Sequence, residues 1–302
     1  MRMGDANRKY YSSKGSAIYS DFSTFAQGKA LATANAIGFV RDFSDYGKIE
    51  VCEYGIGNGN FAKVFLDEVK KRDSAIYSRI HYSLFDISEK MISGAKKNLS
   101  AHNGTCSFSM FDASFETPSQ QFDYCRINEL LTDLPAELYF RKGKTIFNRE
   151  GKAVSAQPIV STFLSRIDEA RLIPFNFTAE KFLLSLCDCG NGNSRIDLFD
   201  YGFYSKDDFL LPAEEWNRLM VREYGSQLTV DLNFTFIIAS VLSCGFSPGI
   251  EKQKEYAERE LGMPLSLSES ESCLDYVRAK PAKGTPGIEE DDGFYHLRIG
   301  QA

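Results

Sequence analysis

The chain has 302 residues, 43% of them hydrophobic and 25% charged, and its 35 basic and 41 acidic residues leave a net charge of −6. This content supports a substantial core and excludes a wholly disordered chain, while the mildly acidic balance gives nucleic acid no electrostatic reason to bind. No apolar run reaches the length of a membrane span, and the polar first residues lack the apolar core of a secretion signal, so a cytoplasmic protein forming a single domain over 1–302 is expected.

The first 45 residues predict an N-terminal helical cap. Tyr10, Tyr11, Tyr19 and Phe22 precede a helix over 23–43, for which Ser23 is the expected cap. The four aromatics fit either a lid over a reacting centre or an anchor for a terminal helix. Lys48–Tyr54 is an apolar strand that runs into Gly55-Ile56-Gly57-Asn58-Gly59, and Phe61, Val64, Phe65 and Val69 then follow at helical spacing. Arg79–Phe85 is a second strand ending at Asp86. Ser88–Leu99 opens on a capping serine and continues as a helix. Cys106–Phe111 is a third strand, ending at Asp112, and Phe122–Ile127 a fourth, ending at Asn128 and Glu129. Strands and helices alternating at these lengths predict a Rossmann-like α/β fold, mostly parallel, with helices on both faces of the sheet.

After Pro135 the pattern changes. Glu137–Val154 reads as a hairpin around Lys142-Gly143-Lys144, and Pro158–Leu186 as largely helical. The next core strand is Arg195–Phe199, so 137–193 is expected to be an insertion that shapes a substrate site. Helices are expected to predominate from Trp216, with a last strand at Tyr295–Ile299 and a surface loop over 278–293. The seven cysteines form no CxxC pair, and Cys187 and Cys189 have no histidine nearby. Free thiols are expected, with neither disulfides nor a metal site.

The chemistry centres on Glu53-Tyr54-Gly55-Ile56-Gly57-Asn58-Gly59 between a strand and a helix. Glycines there let the backbone approach a ligand and present its amides. The spacing is G-x-G-x-G, not the G-x-G-x-x-G of a dinucleotide site. Asp86 and Asp112 end the next two strands, where carboxylates can accept from ribose hydroxyls and from an adenine amino group. With the acid at 53, this pattern resembles motif I of the class I S-adenosylmethionine methyltransferases. The resemblance implies S-adenosylmethionine as cofactor, S-adenosylhomocysteine as product, and a cofactor site formed by Glu53, Gly55, Gly57, Gly59, Asp86, Ile87, Asp112, Ala113 and Asn128.

A narrower resemblance follows. Asn128-Glu129 with Asp133 and Pro135, then Asp200-Tyr201-Gly202 and the stretch Tyr224–Phe234, are similar to motifs of the MidA family. Gln253 and Leu261-Gly262, with Gly15 and Asp21-Phe22-Ser23-Thr24 upstream, are similar to others of that family. Gln227 stands where the family has an acid. The family includes a mitochondrial complex I assembly methyltransferase that modifies arginine. The resemblance implies a protein partner as substrate, with Glu129 and Asp133 as the catalytic carboxylates. A small-molecule acceptor, or an assembly factor that binds cofactor with little catalysis, stands beside that reading.

Overall fold

The computed structural model describes residues 3–167, 170–204, 211–279 and 293–301. The chain opens with helix α1 (Met3–Lys14), a 3₁₀ turn over Gly15–Ser20 and a second over Phe25–Gln27. The helix expected over 23–43 is therefore shorter: α2 covers Ala30–Asp42. Ser23 does not cap it. Thr24 caps the 3₁₀ turn, and the first amides of α2 (Lys29 and Ala30) donate instead to the side chain of Asp275, far along the chain. The expected N-terminal cap accordingly divides, because α2 lies among the helices on a sheet face, packed with residues 61–69 and residues near 256.

The alternating core forms as the pattern predicts. It runs through β1 (Ile49–Tyr54), α3 (Asn60–Arg72), the short α4 (Ser74–Tyr77), β2 (Ile80–Asp86), α5 (Glu89–Asn98), β3 (Cys106–Met110) and β4 (Phe122–Asn128). Ser88 caps α5 by accepting from the Met91 amide. The next segment holds β5 (Glu137–Lys142), β6 (Thr145–Asn148), α6 (Pro158–Leu164), β7 (Ile173–Phe175) and α7 (Phe177–Cys187). Here the expected helical run is broken: Ile173-Pro174-Phe175 is a buried strand paired with β5. Proline is tolerated there because β7 is an edge strand.

β8 spans Gly190–Phe203, so it begins well before the expected Arg195 and takes in the last residues of the expected insertion. Beyond it the helical expectation fails more widely. The elements are α8 (Ala213–Leu219), β9 (Val221–Tyr224), β10 (Gln227–Val230), β11 (Leu232–Asn233), α9 (Phe234–Ser243), β12 (Phe246–Lys252), α10 (Gln253–Leu261), β13 (Leu265–Glu269), β14 (Leu274–Arg278) and β15 (Phe294–Gln301). Tight turns close the β9–β10 and β13–β14 hairpins, and short alternating strands of that kind leave little helical signal to contradict. The loop expected over 278–293 falls mostly outside the described residues.

The main sheet has the order β12-β15-β8-β4-β1-β2-β3. β3, β2, β1, β4 and β8 are parallel, whereas β15 runs antiparallel between β8 and β12. Apolar clusters cover both faces. One joins Phe39 and Phe65 to Val51 and Leu84, and the other joins Phe182 and Leu183 to Tyr54 and Ile127. Because the five strands are parallel, their C-terminal ends meet on one edge, and a ligand crevice is expected there. All seven cysteines are free, with Cys52, Cys125 and Cys187 buried, and among the described residues no helix is long and apolar enough to cross a membrane.

Candidate active site

A cavity of 650 Å³ opens along that edge, within the size range of small-ligand sites. Its first wall is the glycine turn. Gly55, Gly57 and Gly59 have φ of 76°, 55° and 74°, a left-handed conformation that other residues adopt at a cost. The first two line the cavity. Gly59 does not. It lies at the start of α3, where a Cβ would come within 3.0 Å of Ala95 and 3.1 Å of Leu99, so its smallness serves helix packing.

Asp86 ends β2 and is 7% exposed. One carboxylate oxygen accepts from the Gly57 amide at 2.9 Å, the other from the Ser88 amide at 2.8 Å. Burial pushes its pKa up to about 7, against the pull of these amides. Asp112 follows β3 and carries a partner: Arg8 of α1 donates to it at 3.0 Å, with its guanidinium 4.6 Å from the Phe115 ring. Ile87, Ala113 and Asn128 also line the cavity. Asn128 is 7% exposed, and its Oδ1 has no hydrogen-bond partner among the described residues, leaving a buried acceptor on that wall.

Glu53 is elsewhere. It is buried on β1, bound to the guanidinium of Arg126 and, at 2.5 Å, to the Tyr82 hydroxyl. Arg126 stacks 4.0 Å over the Phe61 ring and reaches Asn35 at 3.2 Å. The expected cofactor ligand is thus half of a buried ion pair beneath the turn, outside the cavity lining. An isolated arginine cannot stay in such a core, so the acid is needed as its counter-ion.

The second wall comes from the end of β4. Glu129 has φ of 48°, an unusual conformation for a non-glycine residue, and its amide donates to Phe199 at 2.8 Å. Its Oε1 accepts from the Thr24 hydroxyl and the Phe25 amide, both at 2.9 Å. Asp133 lies on a single 3₁₀ turn over Leu131–Asp133. It accepts from the Tyr11 hydroxyl and, at 2.7 Å, from the side-chain amide of Gln227. An acid at 227 would repel Asp133; the amide instead donates to it. Asp200, fully buried, holds this turn by accepting from the Leu131 amide at 2.9 Å and the Thr132 hydroxyl at 2.9 Å. Burial raises Glu129 to about 8, and Asp133 and Asp200 to about 7, with the charge of Asp200 adding to the first two. Arg222 and Asp231 pair on the same wall at 3.0 Å.

None of the described residues of the 137–193 segment lines the cavity. The segment packs under the sheet through Leu138, Phe175 and Phe182, because β5 and β7 pair with one another and bury their apolar faces there. The lining comes from α1 and the 3₁₀ turn after it, the β9–β10 hairpin, and residues 269–274. The N-terminal aromatics divide the two expected roles. Tyr10 is 1% exposed, packed with Ile18 and Met91 as an anchor, whereas Tyr11, Tyr19 and Phe22 face the cavity. Arg8, Arg222 and Gln227 were not legible as site residues. Only Gln227 stood in a stretch that any motif singled out.

In sequence, residues 34–178 match a family model described as "Putative S-adenosyl-L-methionine-dependent methyltransferase". No curated protein matches. Among solved structures, a Burkholderia thailandensis protein bound to S-adenosyl-homocysteine aligns with a TM-score of 0.66 at 14% identity, over 93% of this chain and 79% of that one. A native structure of an uncharacterised protein from the same organism aligns with a TM-score of 0.70 at 14% identity, over 100% and 87%. Magnesium protoporphyrin IX methyltransferase from Synechocystis PCC 6803, with bound S-adenosyl-homocysteine, aligns with a TM-score of 0.51 at 12% identity, over 98% of each chain. The fold is that of the class I methyltransferases.

Proposed function

We propose that this protein transfers the methyl group of S-adenosylmethionine to a nitrogen of a partner protein, of the arginine type. The observation that carries the reading is one cavity with two unlike walls. One bears the glycine turn, Asp86 and Asp112; the other bears Glu129 and Asp133. The family match over 34–178 supports the cofactor and the enzymatic class. The MidA resemblance supports the acceptor.

The residues fit the cofactor: a glycine turn whose glycines put no side chain in the way of approach, two acids at successive strand ends, and an Asn128 oxygen with no partner among the described residues. When bound, S-adenosylmethionine supplies a methyl already activated on a sulfonium. Asp86 accepts from the ribose hydroxyls. Asp112 takes the adenine amino group, with Arg8 sharing its second lone pairs, while Ile87 and Ala113 flank the base. Asp21, Asp86, Asp112, Glu129, Asp133, Asp231, Glu269 and Glu271 line the cavity against Arg8 and Arg222. Such an excess of carboxylates suits a cationic cofactor and a cationic acceptor. A guanidinium is a poor nucleophile while protonated, with a pKa above about 12. Glu129 and Asp133 orient it by paired hydrogen bonds and accept its proton.

Both carboxyls have raised pKa values, about 8 and about 7, so each holds its proton at pH 6 and releases it as pH rises. The kcat/KM for the acceptor, which reports the free enzyme, is therefore expected to climb between about pH 6 and 9. A flat profile across that range would remove both as proton acceptors.

The cofactor is tested by titrating S-adenosylmethionine and S-adenosylhomocysteine calorimetrically into wild type and Asp86→Ala. Wild type binds both, and a ligand at a hundred times its Kd stabilises the fold by about 2.7 kcal/mol. Asp86→Ala weakens binding by about 10–100-fold, the loss of a charged hydrogen-bond acceptor. A folded wild type that binds neither sinks the reading. Incubation with labelled cofactor and cell extract then tests the acceptor. Label in small molecules alone would overturn the protein acceptor and favour a small one, for which the cavity is large enough.

A further inference from the structure

Tyr19 lies in the 3₁₀ turn Gly15–Ser20, and the family motifs assign it nothing. Its hydroxyl oxygen accepts the Asn58 amide of the glycine turn at 3.1 Å. A Cβ on Gly57 would overlap that hydroxyl, so the glycine is what admits the phenol to the turn. The placement is braced from the side. Gln27 and Asn58 exchange side-chain amide hydrogen bonds at 3.2 Å in both directions. Asn60 donates to the carbonyls of Ala26 at 3.2 Å and Gln27 at 3.1 Å.

A phenol has one proton to give, and its oxygen here is used as an acceptor. The Gln27 side chain, held by Asn58, also interacts with the phenol oxygen. Burial and the neighbouring carboxylates of Asp86 and Glu129 push its pKa up, so the proton stays in place. Tyr19 lines the cavity together with those two acids and lies against Gly57. The turn's own amides are taken, Gly55 and Ile56 by Phe85, Gly57 by Asp86, Asn58 by Tyr19 and Gly59 by Ile56, so an anionic group brought there meets the phenol O–H as its donor.

We infer that Tyr19 is a cofactor-binding residue for the amino-acid end of S-adenosylmethionine, its hydroxyl donating to the ligand's carboxylate at the glycine turn. The inference rests on the cofactor reading above. It adds a residue that is specific for the part of the ligand beyond the sulfur.

The test compares two probes on wild type and Tyr19→Phe. S-adenosylhomocysteine carries the amino-acid tail, and 5′-methylthioadenosine keeps the nucleoside and thioether but lacks it. Affinities are measured by competition, so that weak binding is still read, together with the melting temperature of the ligand-free proteins. Tyr19→Phe is expected to weaken S-adenosylhomocysteine about tenfold, the loss of one charge-assisted hydrogen bond. Binding of 5′-methylthioadenosine should stay within about twofold and the ligand-free melting temperature should not move. Equal weakening of both probes would make Tyr19 a structural brace. Unchanged or tighter binding of S-adenosylhomocysteine would overturn the inference outright. A wild type that binds neither probe brings down the cofactor reading itself, an outcome distinct from these.

Discussion

Glu129→Ala is expected to lose methyl transfer by about a thousandfold while keeping its affinity for S-adenosylhomocysteine, within the range seen when a positioned acid–base group or charge stabiliser is removed. The backbone at 129 is held in a left-handed conformation with φ of 48°. Thr24 and Phe25 fix one carboxylate oxygen, leaving the other for a ligand. Burial keeps the empty site's carboxyl protonated up to about pH 8. A cationic acceptor favours the ionised form, so acceptor binding itself prepares the base. Glu129→Gln keeps the acceptor that Thr24 and Phe25 use, yet cannot take a proton. It should be nearly as inactive as the alanine variant, with a melting temperature closer to wild type. Normal turnover by Glu129→Gln would leave Glu129 a bracket for the N-terminal segment and nothing more.

The largest effect on stability is expected at Glu53. Glu53→Ala strands the guanidinium of Arg126, which is 0% exposed, among the rings of Phe61, Phe65 and Tyr82. Removing one partner of such a pair costs about 3–5 kcal/mol, enough to lower the melting temperature by roughly 10 °C in a domain of this size. Thermal unfolding followed by circular dichroism reads this directly. The paired replacement Glu53→Leu with Arg126→Met removes both charges and should recover much of the loss. S-adenosylhomocysteine affinity of the folded fraction is expected to stay close to wild type, since the carboxylate faces Arg126 and not the cavity. A stable Glu53→Ala protein with lost cofactor affinity would return Glu53 to the cofactor site.

The two residues mark what a sequence can and cannot reveal. The strand–turn–helix at 49–72, the Ser88 cap and the acids at 86 and 112 follow from local spacing, and each stands where that spacing predicts. The direction in which a side chain leaves its strand is also local, but its partner is not. Glu53 reads as a motif acid, and only the parallel register that sets it beside Arg126 shows what it does. The same holds for Asp275, which caps α2 from the other end of the chain, and for Arg8, which meets Asp112 across the cavity mouth. The β9–β10 hairpin escaped notice because its strands are four residues long, too short for an alternating pattern to stand out. With it went Arg222, which pairs with Asp231 on the acceptor wall, and the placing of Gln227 against Asp133.

The placement of β15 bears on how the protein is made. It sits between β8 and β12, so the strand translated last among these three is the one that joins the other two. His296 marks the junction, reaching Asp197 of β8 at 3.1 Å and Glu251 of β12 at 3.0 Å. Until Phe294–Gln301 has left the ribosome, β8 and β12 each present a bare edge able to pair with another chain. The nascent protein therefore passes through an interval in which five parallel strands are ready and the sheet is still open. Closing it falls to a single eight-residue segment that must find its slot between two strands already made.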